Sequence, residues 1–159
     1  MIFELNINYD KERLLLEAES VDYNAFKSGY DTGNWFDYAP TWMQGKVPNK
    51  EMYEETNKIK KFISNKINSN DIRPRFYKQE KNTEVPPHID INTKCSVNIV
   101  LSDSFGPVQF TNYEPMFYSC ALLDTTKEHF VPSYPEERLL LKFSIFDVTF
   151  DDAKRSFIY

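Results

Sequence analysis

The sequence is poor in histidine, cysteine and glycine, with two, two and four among 159 residues. Cys95 and Cys120 form no close Cys pair, so a thiolate-rich zinc site is excluded and free, buried thiols are expected. No apolar run approaches the roughly 20 residues that cross a bilayer. No long basic run interrupts the mixed charges, and the net charge is -5. A surface that tracks nucleic-acid phosphates is therefore not expected. No HExxH stands anywhere, which removes the usual general-base motif of a zinc hydrolase. The opening MIFELNINYDKER has neither the basic start nor the apolar stretch of a secretory signal. The expected location is the cytoplasm, where thiols stay reduced.

What is present is a core-forming composition: 41% hydrophobic and 16% aromatic residues. Such a chain can bury a sizeable core, and its length suits one domain. The texture changes near residue 72. Before it, the alternation of IFELNI predicts a strand at 2–8. An aromatic, loop-rich stretch follows, with Tyr23, Phe26, Tyr30, Trp35, Phe36, Tyr38 and Trp42. Residues 49–67 read as an amphipathic helix, with Asn49 as N-cap and Met52, Ile59, Phe62, Ile63 and Ile67 at helical spacing. Asn68, Ser69 and Asn70 end it.

After residue 72 short strands are expected at 73–79, 86–91, 95–102, 107–112, 116–124, 128–132 and 137–150. Cys95, Val97, Ile99 and Leu101 would form one face of their strand, with Ser96, Asn98, Val100 and Ser102 on the other. In the last strand Leu139, Leu141, Phe143 and Ile145 oppose Arg138, Leu140, Lys142 and Ser144. Greasy faces packed on the N-terminal helix would leave the mixed faces to line a cavity. The expectation is a mainly β fold, a jelly roll or double-stranded β-helix of cupin-like type, with the helix on the outer sheet face. Residues 1–159 form one domain in this reading: 1–72 as support and 73–150 as the jelly-roll core.

PPHID sets His88 and Asp90 two residues apart, on the same side of a strand. An imidazole and a carboxylate so placed can converge on one ion, and His129 can supply a third ligand from a distant strand. Two His and one carboxylate leave open positions opposite, the facial triad of non-haem Fe(II) sites. His-x-Asp alone is weak, since it also marks ordinary turns and strand edges. A second His on a separate strand, and an Arg nine residues beyond it, strengthen the pattern. Arg138 facing a cavity needs an anionic partner, because an unpaired buried charge is costly. The C5 carboxylate of 2-oxoglutarate suits its planar fork. Lys142 has the same parity and is the substitute, while Glu136 or Glu137 can instead pair with Arg138 as a solvated strand end. Tyr77 can donate its hydroxyl to the same carboxylate or serve as core packing. Ser96 and Asn98 face the pocket if the strand register holds.

Residues 73–148 resemble the 2-oxoglutarate/Fe(II) oxygenase superfamily. RFYKQ, PPHID, CSVNIVLSD, FGPVQF, ALLDTTKEHFV and EERLLLKFSIF carry the resemblance, in an order similar to prolyl and aspartyl/asparaginyl hydroxylase-like members, some of them phage-encoded. The resemblance implies a double-stranded β-helix with iron on His88, Asp90 and His129, and 2-oxoglutarate on Arg138 and Tyr77, with Asn98 as a further contact. It implies hydroxylation of a peptide side chain or small metabolite by O2, with succinate and CO2 released. Ascorbate is a further candidate cofactor. A phage origin would place the protein in the host cytoplasm. The short stretch from Asp90 to His129 leaves little room for a lid, Pro107 stands where many members carry a second Gly, and Asp90 argues against halogenation. The rivals are a cupin-like metalloenzyme that does not use 2-oxoglutarate, and a non-enzymatic binding module using the aromatics near Trp35 and Trp42.

Overall fold

The computed structural model describes residues 1–25, 27–28, 36–37, 42–104 and 106–159. Of the aromatic stretch, Phe26, Tyr30, Trp35 and Tyr38 lie outside the described residues. In chain order the elements are β1 (Ile2–Glu4), α1 (Lys11–Ser20), β2 (Asn24–Ala25), β3 (Lys27–Ser28), β4 (Phe36–Asp37), β5 (Trp42–Lys46) and, after a 3-10 turn at Glu51–Tyr53, α2 (Glu54–Ile67). There follow β6 (Ile72–Gln79), β7 (Val85–His88), β8 (Cys95–Val100), β9 (Pro107–Phe110) and β10 (Met116–Phe117). β11 (Cys120–Leu123), β12 (His129–Val131), β13 (Arg138–Ile145) and α3 (Phe150–Ile158) complete the chain.

The fold is mainly β, as the alternating strands require. A seven-stranded sheet has the order β1-β11-β8-β13-β6-β5-β2, and a four-stranded sheet the order β10-β9-β12-β7. β3 and β4 pair separately. Neighbouring strands in the two main sheets run antiparallel. The outer face of the large sheet carries Cys95, Val97, Ile99, Leu141, Phe143 and Ile145, all buried in one core with Leu14, Ile59, Ile63, Ile67 and Ala153 of the helices. The other face turns Val100, Leu140 and Tyr77 toward Val85, Val108, Phe110 and Val131 of the small sheet. Each β8 and β13 residue thus alternates between a helix-packed core and an inter-sheet interior.

Several elements differ from their sequence forecast. The first strand stops at Glu4 rather than residue 8. The helix α1 lies where a loop was expected. Asp10 caps it by accepting from the Arg13 amide at 3.1 Å, and Leu14 and Ala18 supply its buried stripe. Asn49 does not cap α2: Tyr53 leads into it, with no capping bond from its own side chain. Instead the buried Glu17 carboxylate accepts from the Glu55 and Thr56 amides at 3.0 and 2.9 Å. A carboxylate at a helix N-terminus satisfies orphan N–H groups and faces the positive end of the dipole. Met52 and Phe62 are exposed, so the buried stripe of α2 is Thr56, Ile59, Ile63 and Ile67. Asn68 takes the left-handed conformation, φ 57°, that closes the helix.

The last expected strand, 137–150, divides. β13 ends at Ile145, and Thr149 caps α3 by accepting from the Asp152 amide at 3.2 Å. Strand 86–91 likewise stops at His88, and 116–124 splits around Tyr118 and Ser119. No helix among the described residues is long and apolar enough to cross a membrane.

Candidate metal centre

The inner face of the large sheet and the small sheet enclose a cavity of about 390 Å3. This lies in the size range of small-molecule sites. His88, Asp90 and His129 stand in its wall, as do Tyr77, Asn98, Arg138 and Lys142. All the residues singled out from the sequence therefore reach one space, though not in equal relation to one another.

β7 and β12 are neighbours, and their register sets His88 directly opposite His129. The two rings lie 4.5 Å apart between centroids, and Phe110, also cross-strand from His129, packs at 5.7 Å. Asp90 lies just past the end of β7, where its amide donates to the Thr125 carbonyl at 3.1 Å. Period-two alternation holds through this turn: Ile89 and Ile91 are exposed while His88 and Asp90 face inward. One ligand atom from each of His88, Asp90 and His129 lies within 4.8 Å of the others. Asp90 Oδ1 is 3.4 Å from His88 Nε2 and 3.5 Å from His129 Nε2.

The other ring nitrogens face backbone carbonyls. His88 Nδ1 is 2.8 Å from the Pro86 carbonyl, and His129 Nδ1 is 2.8 Å from the Lys127 carbonyl. A carbonyl only accepts, so each Nδ1 carries a proton, and Nε2 is the ring nitrogen turned to the cluster. Both partners lie two residues upstream on the same segment, a short-range support for the ligand orientation.

Lys142 donates to Asp90 Oδ2 at 2.6 Å, leaving Oδ1 toward the imidazoles. Burial alone would raise the Asp90 pKa. The Lys142 charge, with His129 and His88 beside it, outweighs this and holds the carboxyl well below its ordinary range. Burial likewise disfavours the Lys142 ammonium, but Asp90 reverses the balance and raises its pKa.

Arg138, at the start of β13, is buried and is not the solvated strand end paired with Glu136 or Glu137 that stood as an alternative. Its Nη2 donates to the Tyr118 hydroxyl at 3.0 Å and Nη1 reaches the Pro107 carbonyl at 3.4 Å. Nε meets no acceptor and no carboxylate pairs with the guanidinium among the described residues. Gly106, at φ 62°, packs beside it, where a Cβ would sit 3.5 Å from Arg138 Cδ. Tyr118 was not anticipated from sequence. Its hydroxyl accepts from both Arg138 and Asn98 Nδ2, each at 3.0 Å, while Asn98 Oδ1 accepts from Ser96 at 2.9 Å. With two bonds accepted, the Tyr118 hydroxyl keeps its own proton to donate. Asn98, occupied at both ends, orients Tyr118. Tyr77 lies one strand across from Leu140, its ring 5.8 Å from Trp42.

The donor set suits a divalent iron: two imidazole nitrogens and one carboxylate oxygen that converge in the cavity wall. The same cavity suits a dicarboxylate reaching from that cluster, since a buried guanidinium without a counter-charge is otherwise costly.

No family model matches the chain, and no curated protein matches it in sequence. Solved structures do match. An oxidoreductase of the 2OG-Fe(II) oxygenase family from Burkholderia pseudomallei is 14% identical over 87% of this chain and 79% of its own, with TM-score 0.59. The viral collagen prolyl hydroxylase of Paramecium Bursaria Chlorella virus-1, solved with 2OG, is 9% identical over 91% and 94%, with TM-score 0.55. A prolyl-4-hydroxylase from Pseudomonas putida is 12% identical over 66% and 70%, with TM-score 0.50. What these proteins share with the chain is the fold.

Proposed function

We propose that the chain is an iron(II)- and 2-oxoglutarate-dependent dioxygenase, a single catalytic unit over residues 1–159 that hydroxylates its substrate. The observation that carries this reading is one cavity holding both an N,N,O cluster and a buried guanidinium without a carboxylate. Likeness of fold to oxygenases and hydroxylases supports it. A cupin-type enzyme that did without 2-oxoglutarate would leave the Arg138 charge unexplained. Two buried free thiols fit a cytoplasmic setting.

His88 Nε2, His129 Nε2 and Asp90 Oδ1 would hold the metal. Iron with 2-oxoglutarate and O2 supplies the oxidation: R–H, O2 and 2-oxoglutarate give R–OH, succinate and CO2. The protein's part is to position and protect. Lys142 holds the second Asp90 oxygen, keeping the carboxylate ionised and presented through one oxygen. Arg138 would receive the distal carboxylate of the co-substrate in a two-pronged pair, with the Tyr118 hydroxyl adding a donor. With Lys142 engaged by Asp90, Arg138 is the better supported of the two cations for this role, and Tyr118 a better supported hydroxyl than Tyr77. Leu140, Val108 and Val131 line the wall and exclude water.

The test is Co(II) binding and succinate production. Wild type is expected to bind Co(II) and, with Fe(II), to form succinate from 2-oxoglutarate. His129→Ala and Asp90→Ala should each weaken Co(II) binding by at least tenfold and stop succinate formation. Undiminished Co(II) affinity in both variants would overturn the assignment.

A further inference from the structure

The cavity is far more cationic than the chain that forms it. The protein has a net charge of -5, yet the cavity wall carries Arg73, Arg75, Arg138 and Lys142 against the single carboxylate of Asp90. Each of these cations except one has an anion assigned. Arg73 is paired with Asp71 at 3.0 and 3.2 Å. Lys142 is paired with Asp90. Arg138 takes the co-substrate carboxylate under the reading above. Arg75 remains.

Arg75 is half-buried, and the polar partner seen for it is the Gln44 side-chain oxygen at 3.5 Å, at the limit of a hydrogen bond. No carboxylate pairs with it among the described residues. Its placement is fixed by register. On β13 its direct partner is Lys142, and on β5 it is Lys46. Directly opposed residues share a sheet face, so three cations form one row across β13, β6 and β5. Like charges so placed repel and weaken the sheet. Asp90 already answers Lys142 and Lys46 is exposed, so Arg75 is the member of the row that an anion in the cavity would neutralise.

The row is also correctly placed for a substrate. Lys142 touches Asp90, so Arg75 sits one strand, about 5 Å, from a residue in contact with the metal cluster. Arg138 is paired with Gln79, four residues along β6 from Arg75, or about 13 Å at strand rise. Arg75 thus stands at the level of Lys142, which Asp90 of the metal cluster reaches, and Arg138 lies four residues away along the sheet. A molecule anchored at Arg75 extends a few bonds before reaching the cluster. At about 390 Å3 the cavity is near the small end of ligand sites, and it must also admit the co-substrate.

We infer that the substrate is a low-molecular-weight carboxylic acid whose carboxylate is received by Arg75. This rests on the dioxygenase reading and narrows it. The Arg fork matches a carboxylate in a way a lone ammonium does not. Hydroxylation would then fall on a carbon a few bonds from that carboxylate.

The experiment places Mn(II) and 2-oxoglutarate in the protein and measures paramagnetic relaxation of probe protons by NMR at constant ionic strength. The probes are matched acids and amides: propionate with propionamide, benzoate with benzamide, and N-acetylglycine with N-acetylglycinamide. The acids are expected to show at least tenfold greater relaxation enhancement than their amides. Arg75→Gln should abolish the preference and Arg75→Lys should keep part of it, while 2-oxoglutarate affinity by calorimetry stays within threefold in both. Equal enhancement of acids and amides, or an unchanged preference in Arg75→Gln, would overturn the inference and leave the dioxygenase reading standing. Absence of 2-oxoglutarate binding to the wild-type Mn(II) protein would overturn that reading, and this one with it.

Discussion

Replacing Arg138 by Met should pull stability and co-substrate binding in opposite directions. The guanidinium is buried, bonded to Tyr118 and more distantly to Pro107, with Nε unsatisfied and no counter-ion among the described residues. The free protein therefore bears part of the desolvation cost of a charge. An apolar side chain of similar length removes that cost, which is several kcal/mol for a buried ion, and gives up a hydrogen bond from a charged donor, worth roughly 1.5–3 kcal/mol. The melting temperature of Arg138→Met without ligand is expected to equal or exceed that of wild type. With 2-oxoglutarate the sign reverses. The variant would bury a ligand carboxylate with no partner, a loss of about 3–5 kcal/mol. At about 1.4 kcal/mol per factor of ten, that is roughly two to three and a half orders of magnitude in Kd.

Calorimetry with Mn(II) in the metal site measures this affinity directly. A thermal melt gives a second readout. Ligand at 100 times Kd stabilises wild type by about 2.7 kcal/mol. At about 2–4 °C per kcal/mol for a domain of this size, the melt should rise roughly 5–11 °C. The same ligand concentration should leave Arg138→Met almost unmoved. If that variant binds 2-oxoglutarate within threefold of wild type, the carboxylate lies elsewhere and the argument from the unpaired guanidinium is wrong.

Glu17→Ala should destabilise the fold by about 2–3 kcal/mol in urea, because it strips the buried acceptor from two amides at the start of α2; co-substrate affinity should not change, and a loss under 0.5 kcal/mol would refute the capping role. Burial pushes the Cys95 and Cys120 thiols up to about 12, so neither should react with a thiol reagent at pH 8 until denaturant is added; fast labelling of the native protein would contradict their burial. Asp147 is held below the ordinary carboxyl range: burial is the largest single effect and raises its pKa, but the bonds from the Ser69 hydroxyl and from backbone amides such as Asn70 together outweigh it. A depressed native pKa stabilises the fold above the unfolded value, near 4, and the benefit is lost as pH falls through the native value. The stability gap between wild type and Asp147→Asn should be full at pH 7 and close in acid; a gap independent of pH would refute the linkage.

The parts of the site that were legible beforehand are those that depend on backbone period. His88 and Asp90 share a side because alternate residues do, and this survives the early end of β7. The split of β13 into Leu139, Leu141 and Phe143 against Arg138, Leu140 and Lys142 follows from the same rule. The errors were at places where local signals compete. The run from residue 137 to 150 reads as one apolar strand, but Thr149 with Asp151 and Asp152 is a helix start, and α3 forms there. Asp10 before KERLLLEA is a similar start signal, and α1 forms there, in a segment expected to be loop. Asn49 looked like a cap because no sequence pattern announces a cap supplied from another helix.

Alternation along each strand, and hence which side chains face inward, belongs to the sequence itself, since it needs only the pleat and the contrast of apolar with polar residues. Which inward side chains meet was settled by tertiary structure. His129 stands across from His88, Lys142 reaches Asp90, and Tyr118 joins Asn98 to Arg138 only because the strands pair in one register and two sheets close face to face. Register is a collective result of turns, bulges and core packing over the whole chain, and a slip of one residue would turn any of these groups out of the cavity.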